Sequence, residues 1–573
     1  MKKIASVFLF FAIIISLFAS MCLSASAVDE IDQYEVTMNP DYLYGDLIDT
    51  VYDDIFDFSK YYDNADTAET NNDFLVEIDI SKHNISVDNV FTYFDTMFSQ
   101  YPELFFLDGW MSASYYPDTG TVASIFFRTE YHIDDIPGMI EAFESAALPV
   151  IKEGSKLKTD LEKALFVHNY IVLNTKYNEE VIDGGDGQHS VYTAYGVLVD
   201  RDAVCQGYAY AFNYLIRRMG VVSDYVRSDE ILHGWNLVNI GNYWYHLDAT
   251  WDDPIYDVVG KIYYENFLRS EAGIIETEHT GMLDYQIING TSTVYNVSDT
   301  RFDNLFLHNT ASYRGNTAYH NGKWYFIKYE GGNAYICSTS DIFVSESNLK
   351  YEVVKECGPA YDRPGLYIYE DRMFFTKKTG IYSCDFNGAN EIAVFEPTVP
   401  SGKKVFGLAI REGRIYYNIE ASFSGADYES HPYIYSYTLP VLTPKSSATF
   451  SADDSMIWDI SYGTTAKQIT SMFNEECYIV NEFGVQITDD TVLGTGYKVK
   501  AKVADGAYSP CVTVVITGDA NGDAKLNGKD IIRIKKYLLN METDVIYSLC
   551  GDLNGDGIVN DADISALVSA ISN

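Results

Sequence analysis

Residues 204–211 read Val-Cys-Gln-Gly-Tyr-Ala-Tyr-Ala, so Cys205 stands just before an apolar-patterned segment that Gly220 ends. This pattern predicts a helix with Cys205 at or near its N-terminus. Unpaired backbone N–H groups and the positive end of the helix dipole stabilise a thiolate at such a position. A lone buried cysteine is the alternative, so the role of Cys205 depends on which side chains accompany it.

Two downstream segments of alternating polarity, 231–240 and 243–250, flank a two-residue turn and predict a β-hairpin. In the register of that turn, His233 lies opposite Thr250. Asp248 then shares the face of His233 as a diagonal neighbour, within reach of the imidazole. The register therefore predicts a contact between His233 and Asp248. A satisfied core histidine beside an ordinary aspartate is the alternative.

Three sequence blocks around these residues follow one another in the order cysteine, histidine, aspartate. They read Cys-x-Gly-Tyr-Ala from Cys205, His-x-Trp-Asn-x-Val from His233, and Trp-Tyr-His-Leu-Asp-x-Thr-Trp-Asp-Asp-Pro over 244–254. The blocks and their order resemble the transglutaminase-like superfamily. This resemblance implies an α+β domain with the papain-like arrangement of cysteine, histidine and aspartate.

The resemblance also implies a role for each of the three residues. Cys205 would be the nucleophile, His233 the general acid/base, and Asp248 the residue that orients the imidazole. The family includes acyl transferases, thiol peptidases and non-catalytic members, and the three blocks do not distinguish them.

Neighbouring polar residues are weaker candidates for the site. Gln206 follows the nucleophile, and its backbone N–H is a better oxyanion donor than its side chain. His246 lies two residues before Asp248 and therefore on the same face of the predicted strand. A structural role is expected for His246, and a role in supporting the catalytic residues is the alternative. His189 and Ser190 could border the cleft from a polar loop.

The C-terminal residues 518–573 contain a duplicated motif that matches two twelve-residue calcium loops. Clustered oxygens on a tight loop suit a hard cation that takes about 6–8 oxygen ligands. The predicted ligands of the first loop are Asp519, Asn521, Asp523, the carbonyl of Lys525, Asn527 and Asp530. Those of the second loop are Asp552, Asn554, Asp556, the carbonyl of Ile558, Asn560 and Asp563.

A calcium loop followed by one helix, twice over, resembles a type I dockerin. The resemblance implies two Ca²⁺ ions and docking to a cohesin domain of a scaffoldin. Position six of the loop is Gly557 in the second copy and Ala524 in the first, so the first loop is expected to bind less well. A calcium-stabilised cap without a partner is the alternative.

The whole chain of 573 residues has a formal net charge of −42, which argues against nucleic acid or an anionic membrane surface as a partner. Lys2 and Lys3, an apolar run and an Ala25-Ser26-Ala27 site predict a signal peptide over residues 1–27. No later apolar run approaches the ~20 residues needed to cross a bilayer, so no membrane span is expected after cleavage.

This length exceeds one hydrophobic core and predicts a multidomain fold. Aromatic strand pairs recur after about residues 321, 370 and 412 and favour propeller-like repeats. The cysteines are few for a secreted chain, and the sequence does not decide whether Cys477 and Cys511 form a disulfide. The predicted domains are the signal peptide (1–27), an N-terminal α/β accessory region (28–155), the transglutaminase-like cysteine domain (156–290), β-rich propeller-like repeats (300–440), a small β-sandwich-like spacer (448–517) and a small all-α calcium-binding dockerin (518–573).

Together these features predict a secreted, cellulosome-type enzyme that attacks protein or peptide amide bonds through a thioester. A cysteine peptidase is the favoured class, and protein-glutamine acyl transfer is the first alternative. A non-catalytic protein that binds polysaccharide or cell wall, with a vestigial cysteine domain, is the second. No carboxylate pair lies in a recognisable glycosidase site.

Overall fold

The structure is a computed structural model, which divides into two compact units. The first unit comprises residues 1–255, 262–313 and 342–349, and the second comprises 256–261, 314–341 and 350–573. The described residues are 5–6, 45–63, 74–90, 97–182, 188–253, 259–281, 295, 297–309, 316–369, 372–411, 413–420, 434–452, 456–481, 484–503, 508–538, 545–555 and 559–572. Over these ranges, no helix combines the length and apolarity that crossing a membrane requires.

An antiparallel sheet forms the N-terminal part of the first unit. Its strands are β1 (Ala5–Ser6), β2 (Tyr62–Asp63), β3 (Phe74–Asp79), β4 (Leu107–Tyr116) and β5 (Thr121–Thr129). They are ordered β1-β4-β5-β3-β2 across the sheet. β1 falls within the predicted signal peptide, whereas the other four strands belong to the predicted accessory region.

The helices of the first unit are α1 (Gly45–Phe56), α2 (Met97–Gln100), α3 (Ile136–Ser155), α4 (Asp160–Asn174), α5 (Glu179–Ile182), α6 (Cys205–Arg218) and α7 (Glu271–Ile275). Helix α6 begins at Cys205, as the apolar pattern predicted. Gly220 follows its end with a φ of +82°, a left-handed conformation that glycine adopts without strain.

A three-stranded antiparallel sheet contains the predicted hairpin. Its strands are β8 (Ser223–Ser228), β9 (His233–Ile240) and β10 (Tyr243–Leu247), in the order β10-β9-β8; a separate short parallel pair joins β6 (Lys176–Tyr177) and β7 (Asp202–Ala203). The predicted hairpin register is confirmed, since Tyr243 pairs with Ile240. The prediction that His233 pairs with Thr250 is wrong. β10 ends at Leu247 because the next N–H, that of Asp248, donates to the carbonyl of Asn266 at 3.1 Å.

Helix α6 packs against β9, and this packing brings the thiol to the hairpin. The side-chain Nδ2 of Asn236 on β9 donates to the carbonyl of Ala209 and to Oδ1 of Asn213, each at 2.9 Å. A Cβ atom on Gly207 would lie only 2.8 Å from the carbonyl oxygen of Val191. A glycine is therefore required where α6 meets the preceding segment.

Helix α6 also carries contacts to the N-terminal part of the first unit. Arg218 and Glu103 form a buried ion pair at 3.1 Å, and the Tyr214 hydroxyl donates to Glu144 at 2.8 Å. The described parts of the accessory region and of the cysteine domain thus pack together within one unit.

Three successive antiparallel sheets occupy the β-rich part of the second unit. They contain β11 (Ala318–His320), β12 (Lys323–Glu330), β13 (Asn333–Thr339) and β14 (Glu352–Pro359); then β15 (Leu366–Tyr369), β16 (Arg372–Lys377), β17 (Gly380–Cys384) and β18 (Ile392–Phe395); then β19 (Lys404–Arg411), β20 (Arg414–Glu420) and β21 (Ile434–Thr438). Within each sheet, strands that follow one another in the chain are neighbours. This is the order of propeller blades, although three sheets are fewer than the about 4–8 blades of a closed propeller.

A five-stranded mixed sheet follows these repeats. Its strands are β22 (Ser451–Ala452), β23 (Met456–Ile460), β24 (Cys477–Val480), β25 (Lys498–Ala501) and β26 (Cys511–Ile516), in the order β22-β23-β26-β25-β24. Helix α8 (Ala466–Thr470) supplies Ile469 to the core of this sheet, alongside Val499 and Val514. No disulfide joins Cys477 to Cys511, and the Cys477 thiol donates instead to the carbonyl of Thr470 at 3.6 Å.

Three helices complete the second unit: α9 (Gly528–Leu538), α10 (Val545–Gly551) and α11 (Asp561–Ser572). Each predicted calcium loop leads into one helix, the first into α9 and the second into α11. Ile534, Cys550 and Leu567 from these helices are fully buried and form one apolar cluster with Val515 of β26. The helices and the five-stranded sheet therefore share a core.

Replacing Asn236 with alanine is expected to lower the free energy of local unfolding of α6 and β9 by about 1–3 kcal/mol, because two buried acceptors each lose one hydrogen bond. Hydrogen–deuterium exchange of the full chain measures this in peptides from both elements. Asn239→Ala is the matched control on the same strand, where a change within about 0.5 kcal/mol is expected. Unchanged exchange in Asn236→Ala would contradict this role of the side chain.

Candidate active site

The Cys205 thiol is half-buried at the first residue of α6. Burial disfavours its thiolate, but the hydrogen bond and charge of His233, together with the N–H of Gly234, outweigh burial. The pKa of the Cys205 thiol is consequently lowered. The first N–H groups of a helix lack partners within the helix, so the N-terminus of α6 adds donors close to the sulfur.

The His233 imidazole connects the thiol to Asp248. Its Nε2 atom lies 2.6 Å from Oδ2 of Asp248, and both side chains are buried. Burial disfavours the charged imidazole, but the charge and hydrogen bond of Asp248, with a contribution from Cys205, raise the pKa of His233 to about 10. Because Nε2 faces Asp248, Nδ1 is the nitrogen left for the thiol. Both pKa directions favour a thiolate beside an imidazolium.

The Asp248 carboxylate is 1% exposed and accepts four hydrogen bonds. Oδ2 faces Nε2 of both His233 and His279, at 2.6 and 3.0 Å. Oδ1 accepts from the backbone N–H groups of Thr250 and Trp251, at 2.8 and 3.2 Å. Burial opposes the carboxylate charge, but the His233 charge overcomes burial and holds the pKa of Asp248 well below its usual range.

Two tryptophans fix the orientation of the His233 ring. Trp235 stacks on it with ring centroids 5.6 Å apart and an interplanar angle of 19°, and Trp251 does so at 5.1 Å and 27°. Trp235 is 1% exposed, whereas Trp251 is 39% exposed. The imidazole therefore has a buried aromatic neighbour and one that reaches solvent.

His279 is a member of the site that the sequence did not reveal. It is fully buried, and its ring contacts both Trp235 and Trp251. No sequence motif surrounds His279. It reaches Asp248 because the chain returns toward the site after α7. Candidate ligand atoms of His233, Asp248 and His279 lie within 4.8 Å of one another, a spacing that a metal ion could also use. Here one Asp248 oxygen is shared by the two rings.

The weaker candidates from the sequence have structural contacts. His246 is buried, and its Nδ1 accepts a hydrogen bond from Nε1 of Trp235 at 2.9 Å. The Nε2 atom of His189 lies 2.9 Å from the carbonyl oxygen of Phe105, and burial lowers the pKa of His189 to about 4. Gln206 is buried, and its side-chain nitrogen has no hydrogen-bond partner among the described residues.

The first calcium loop gathers carboxylates that are fully buried. Asp519 and Asp530 are 0% exposed. Burial is the largest cause that raises the pKa of Asp519, to about 6, and the negative charge of Asp530 acts in the same direction. Oδ1 of Asn521 accepts from the N–H of Asp523 at 2.8 Å, while its buried Nδ2 has no partner among the described residues. Buried acids and amide oxygens on one tight loop fit a hard cation such as Ca²⁺.

The second loop repeats this arrangement where the structure describes it. Asp563 is 0% exposed, and its oxygens accept from the N–H groups of Asn554 and Asn560 at 3.1 and 2.9 Å. Asp552 accepts from the N–H of Gly555 at 2.8 Å. The predicted ligands Asp556 and Ile558 lie outside the described residues.

The first unit thus brings a thiol, an imidazole and a carboxylate together, and the second unit holds two acidic loops that each lead into a helix. Residues 151–249 match the family of the Transglutaminase-like superfamily, and residues 517–572 match the Dockerin type I domain. The chain therefore carries a transglutaminase-like domain and a C-terminal type I dockerin, as the sequence resemblances predicted. A type I dockerin binds calcium and implies a cohesin partner in an extracellular cellulosome.

Solved structures similar to the chain include a candidate cysteine protease from Cytophaga hutchinsonii, at 16% identity and a TM-score of 0.16, covering 25% of this chain and 61% of that one. A TGase structure is similar at 13% identity and a TM-score of 0.19, covering 41% of this chain and 64% of that one. The chain thus spans less than two thirds of either structure. No curated protein matches it significantly.

The lowered thiol pKa predicts that Cys205 remains reactive as the pH falls. Iodoacetamide should alkylate Cys205 at pH values below the ordinary thiol pKa of about 8.5, because its thiolate persists to lower pH. His233→Ala should move the alkylation profile to higher pH, since the imidazolium that favours the thiolate is gone. Peptide mass spectrometry over a pH series measures the rate at each cysteine.

Cys477 provides an internal control in the same digest, since burial raises the pKa of this half-buried thiol to about 11. Its alkylation should rise only at high pH and should not respond to His233→Ala. Identical pH profiles at Cys205 and Cys477 would contradict activation of the Cys205 thiol.

Proposed function

We propose that this chain is an exported, scaffold-docked enzyme whose Cys205 thiolate attacks protein or peptide amide bonds. The observation that carries the proposal is the chain of contacts from Cys205 through His233 to the buried Asp248. A buried cysteine without a role needs no imidazole, and an ordinary core histidine needs no carboxylate that is itself held by four donors. The arrangement is that of an activated nucleophile, its acid/base and an orienting carboxylate.

In the first step, the Cys205 sulfur attacks the amide carbonyl carbon, forming a C–S bond and a negatively charged oxygen. Donors at the N-terminus of α6, including the backbone N–H of Gln206, would stabilise that oxygen. The His233 imidazolium then donates its proton to the amide nitrogen as the C–N bond breaks. An amine leaves, and an acyl thioester remains on Cys205.

In the second step, neutral His233 removes a proton from the incoming nucleophile as the nucleophile attacks the thioester carbonyl carbon. The C–S bond then breaks and returns the Cys205 thiolate beside the His233 imidazolium. Water yields a carboxylic acid and completes hydrolysis, whereas a primary amine yields a new amide and completes acyl transfer. We favour hydrolysis, and therefore a cysteine peptidase, with acyl transfer to an amine as the second candidate.

The C-terminal module would hold the enzyme on a scaffoldin through a cohesin. Each loop would bind one Ca²⁺ through the residues predicted from the sequence, and the ion would supply the positive charge that the buried acids lack. The predicted signal peptide over residues 1–27 supports export before docking. These roles fit an enzyme that works outside the cell while attached to a scaffold.

Loss of the thiol should abolish catalysis. Cys205→Ala is expected to release no labelled fragments from a protein library, and Asp248→Asn should reduce the rate about 10³–10⁴-fold, because the imidazole loses its orienting charge. Asp229→Asn is a matched control, since Asp229 is 70% exposed just before the hairpin. Equal release by wild type and Cys205→Ala would contradict the proposal, and incorporation of an added amine would identify acyl transfer.

Calcium titration by calorimetry should detect two ions per chain. Asp530→Ala and Asp563→Ala should each remove one ion, because each deletes a fully buried ligand. Asp561→Ala is the control, since Asp561 is exposed at a loop position that is not a ligand. A wild-type chain that binds one ion, or single variants that retain two, would contradict the two-site assignment.

A further inference from the structure

A cavity of about 570 Å³ in the first unit adjoins the candidate active site. It is lined by Tyr177, Thr250, Trp251, Asp253, Glu265, Asn266, Glu276, Thr277 and Glu278. Thr250 and Trp251 also hold the Asp248 carboxylate through their N–H groups. The Tyr177 ring lies 6.2 Å, centroid to centroid, from the ring of Tyr208 on α6, the helix that begins at Cys205.

The lining of this cavity is acidic. Four of its residues carry carboxyl groups, namely Asp253, Glu265, Glu276 and Glu278, and its described lining holds no lysine, arginine or histidine. The side chains of the three glutamates are exposed to solvent. A group entering the cavity therefore meets a negative potential beside the thiol.

Asn266, which lines the cavity, carries a side-chain acceptor left unsatisfied by the described residues. It is 4% exposed, and its Nδ2 donates to Oδ1 of Asp252 at 3.1 Å. Its Oδ1 atom has no hydrogen-bond partner in the part of the chain that the structure describes. A buried acceptor of this kind is unfavourable unless a donor reaches it.

Trp251 gives the cavity an aromatic wall. Its ring is 39% exposed while it also stacks on His233. An organic cation gains from lying over such a ring, and an ammonium or guanidinium also donates hydrogen bonds. A hard metal ion takes only oxygen ligands and would not use the ring.

We propose that this cavity is the substrate subsite for a positively charged side chain, so that the enzyme selects peptides with a lysine or arginine near the amide that Cys205 attacks. The carboxylates attract the charge, Trp251 contacts the alkyl chain or the cation, and Asn266 accepts a hydrogen bond. This inference rests on the proposed function for its catalytic meaning, but the subsite itself can be tested by binding alone.

Binding is measured on the full chain carrying Cys205→Ala, so that no turnover occurs. The probes are fluorescent peptides with a glutamine at the centre and lysine at each other position in turn, matched by peptides with norleucine in place of lysine. At one or more positions, lysine should bind about three- to tenfold more tightly than norleucine, since each exposed charge pair contributes modestly. Raising the salt concentration should reduce that preference.

The preference is then measured after Glu276→Gln together with Glu278→Gln. The double substitution in the cavity should remove most of the preference for lysine. The control is Glu77→Gln together with Glu141→Gln, which changes the net charge equally at exposed positions outside the cavity. This control should leave the lysine preference intact. Equal affinity for lysine and norleucine peptides at every position would overturn the proposal. A lysine preference that survives Glu276→Gln/Glu278→Gln would overturn the assignment to this cavity.

The same chemistry could reach the cavity from an acyl-donor peptide or from an amine acceptor. Isolated Nα-acetyl-lysine methylamide distinguishes the two sources. If it competes with the lysine peptides as strongly as their own unlabelled forms do, the cavity receives an acceptor amine; if it does not, the cavity reads a donor side chain. Loss of binding preference with retained amide cleavage would reject the subsite while leaving the proposed catalysis intact.

Discussion

The buried charge of Asp248 is the constraint on which the rest of the site depends. A carboxylate that is 1% exposed is unfavourable unless donors surround it, and here two imidazoles and two backbone N–H groups do so. Its charge keeps His233 protonated, and His233 in turn favours the Cys205 thiolate. Removing the carboxylate would leave both ring and thiol without the interaction that sets their protonation.

Asp248 also explains why the hairpin ends where it does. Asp248 gives its own N–H to Asn266 and takes the N–H groups of Thr250 and Trp251, so the chain turns instead of continuing the strand. This turn leaves the Trp251 ring partly exposed beside His233 and places Asp253 in the lining of the acidic cavity. One short stretch, residues 248–253, therefore contributes to both the charge network and the proposed subsite.

Local patterns in the sequence predicted those parts of the site that depend on neighbours along the chain. The helix start at Cys205 follows from an apolar stripe, and the contact between His233 and Asp248 follows from the pairing of Ile240 with Tyr243. The pairing of His233 with Thr250 was wrong because strand parity cannot show where tertiary hydrogen bonds end a strand. His279 was missed because no local pattern marks a residue that reaches the site only through the return of the chain after α7.

The two units contain buried carboxyl groups whose negative charges are stabilised to different extents by the surrounding protein. Asp248 in the first unit has protein donors on both oxygens, whereas the pKa of buried Asp519 in the second unit is raised to about 6 despite several N–H donors. The first arrangement suits a permanent proton network, and the second suits a site completed by a cation. This difference separates residues that would perform chemistry from residues that would hold Ca²⁺.

The most direct test of the central claim is mass spectrometry of the full chain, quenched with acid during reaction with a mixture of protein substrates. A functional Cys205 should carry an acyl adduct whose mass matches a substrate fragment, and hydroxylamine should release it as expected for a thioester. The adduct should be absent from Cys205→Ala and should lie on no other cysteine. A wild-type chain that cleaves amides with no adduct at Cys205, or with the adduct at another residue, would contradict the account.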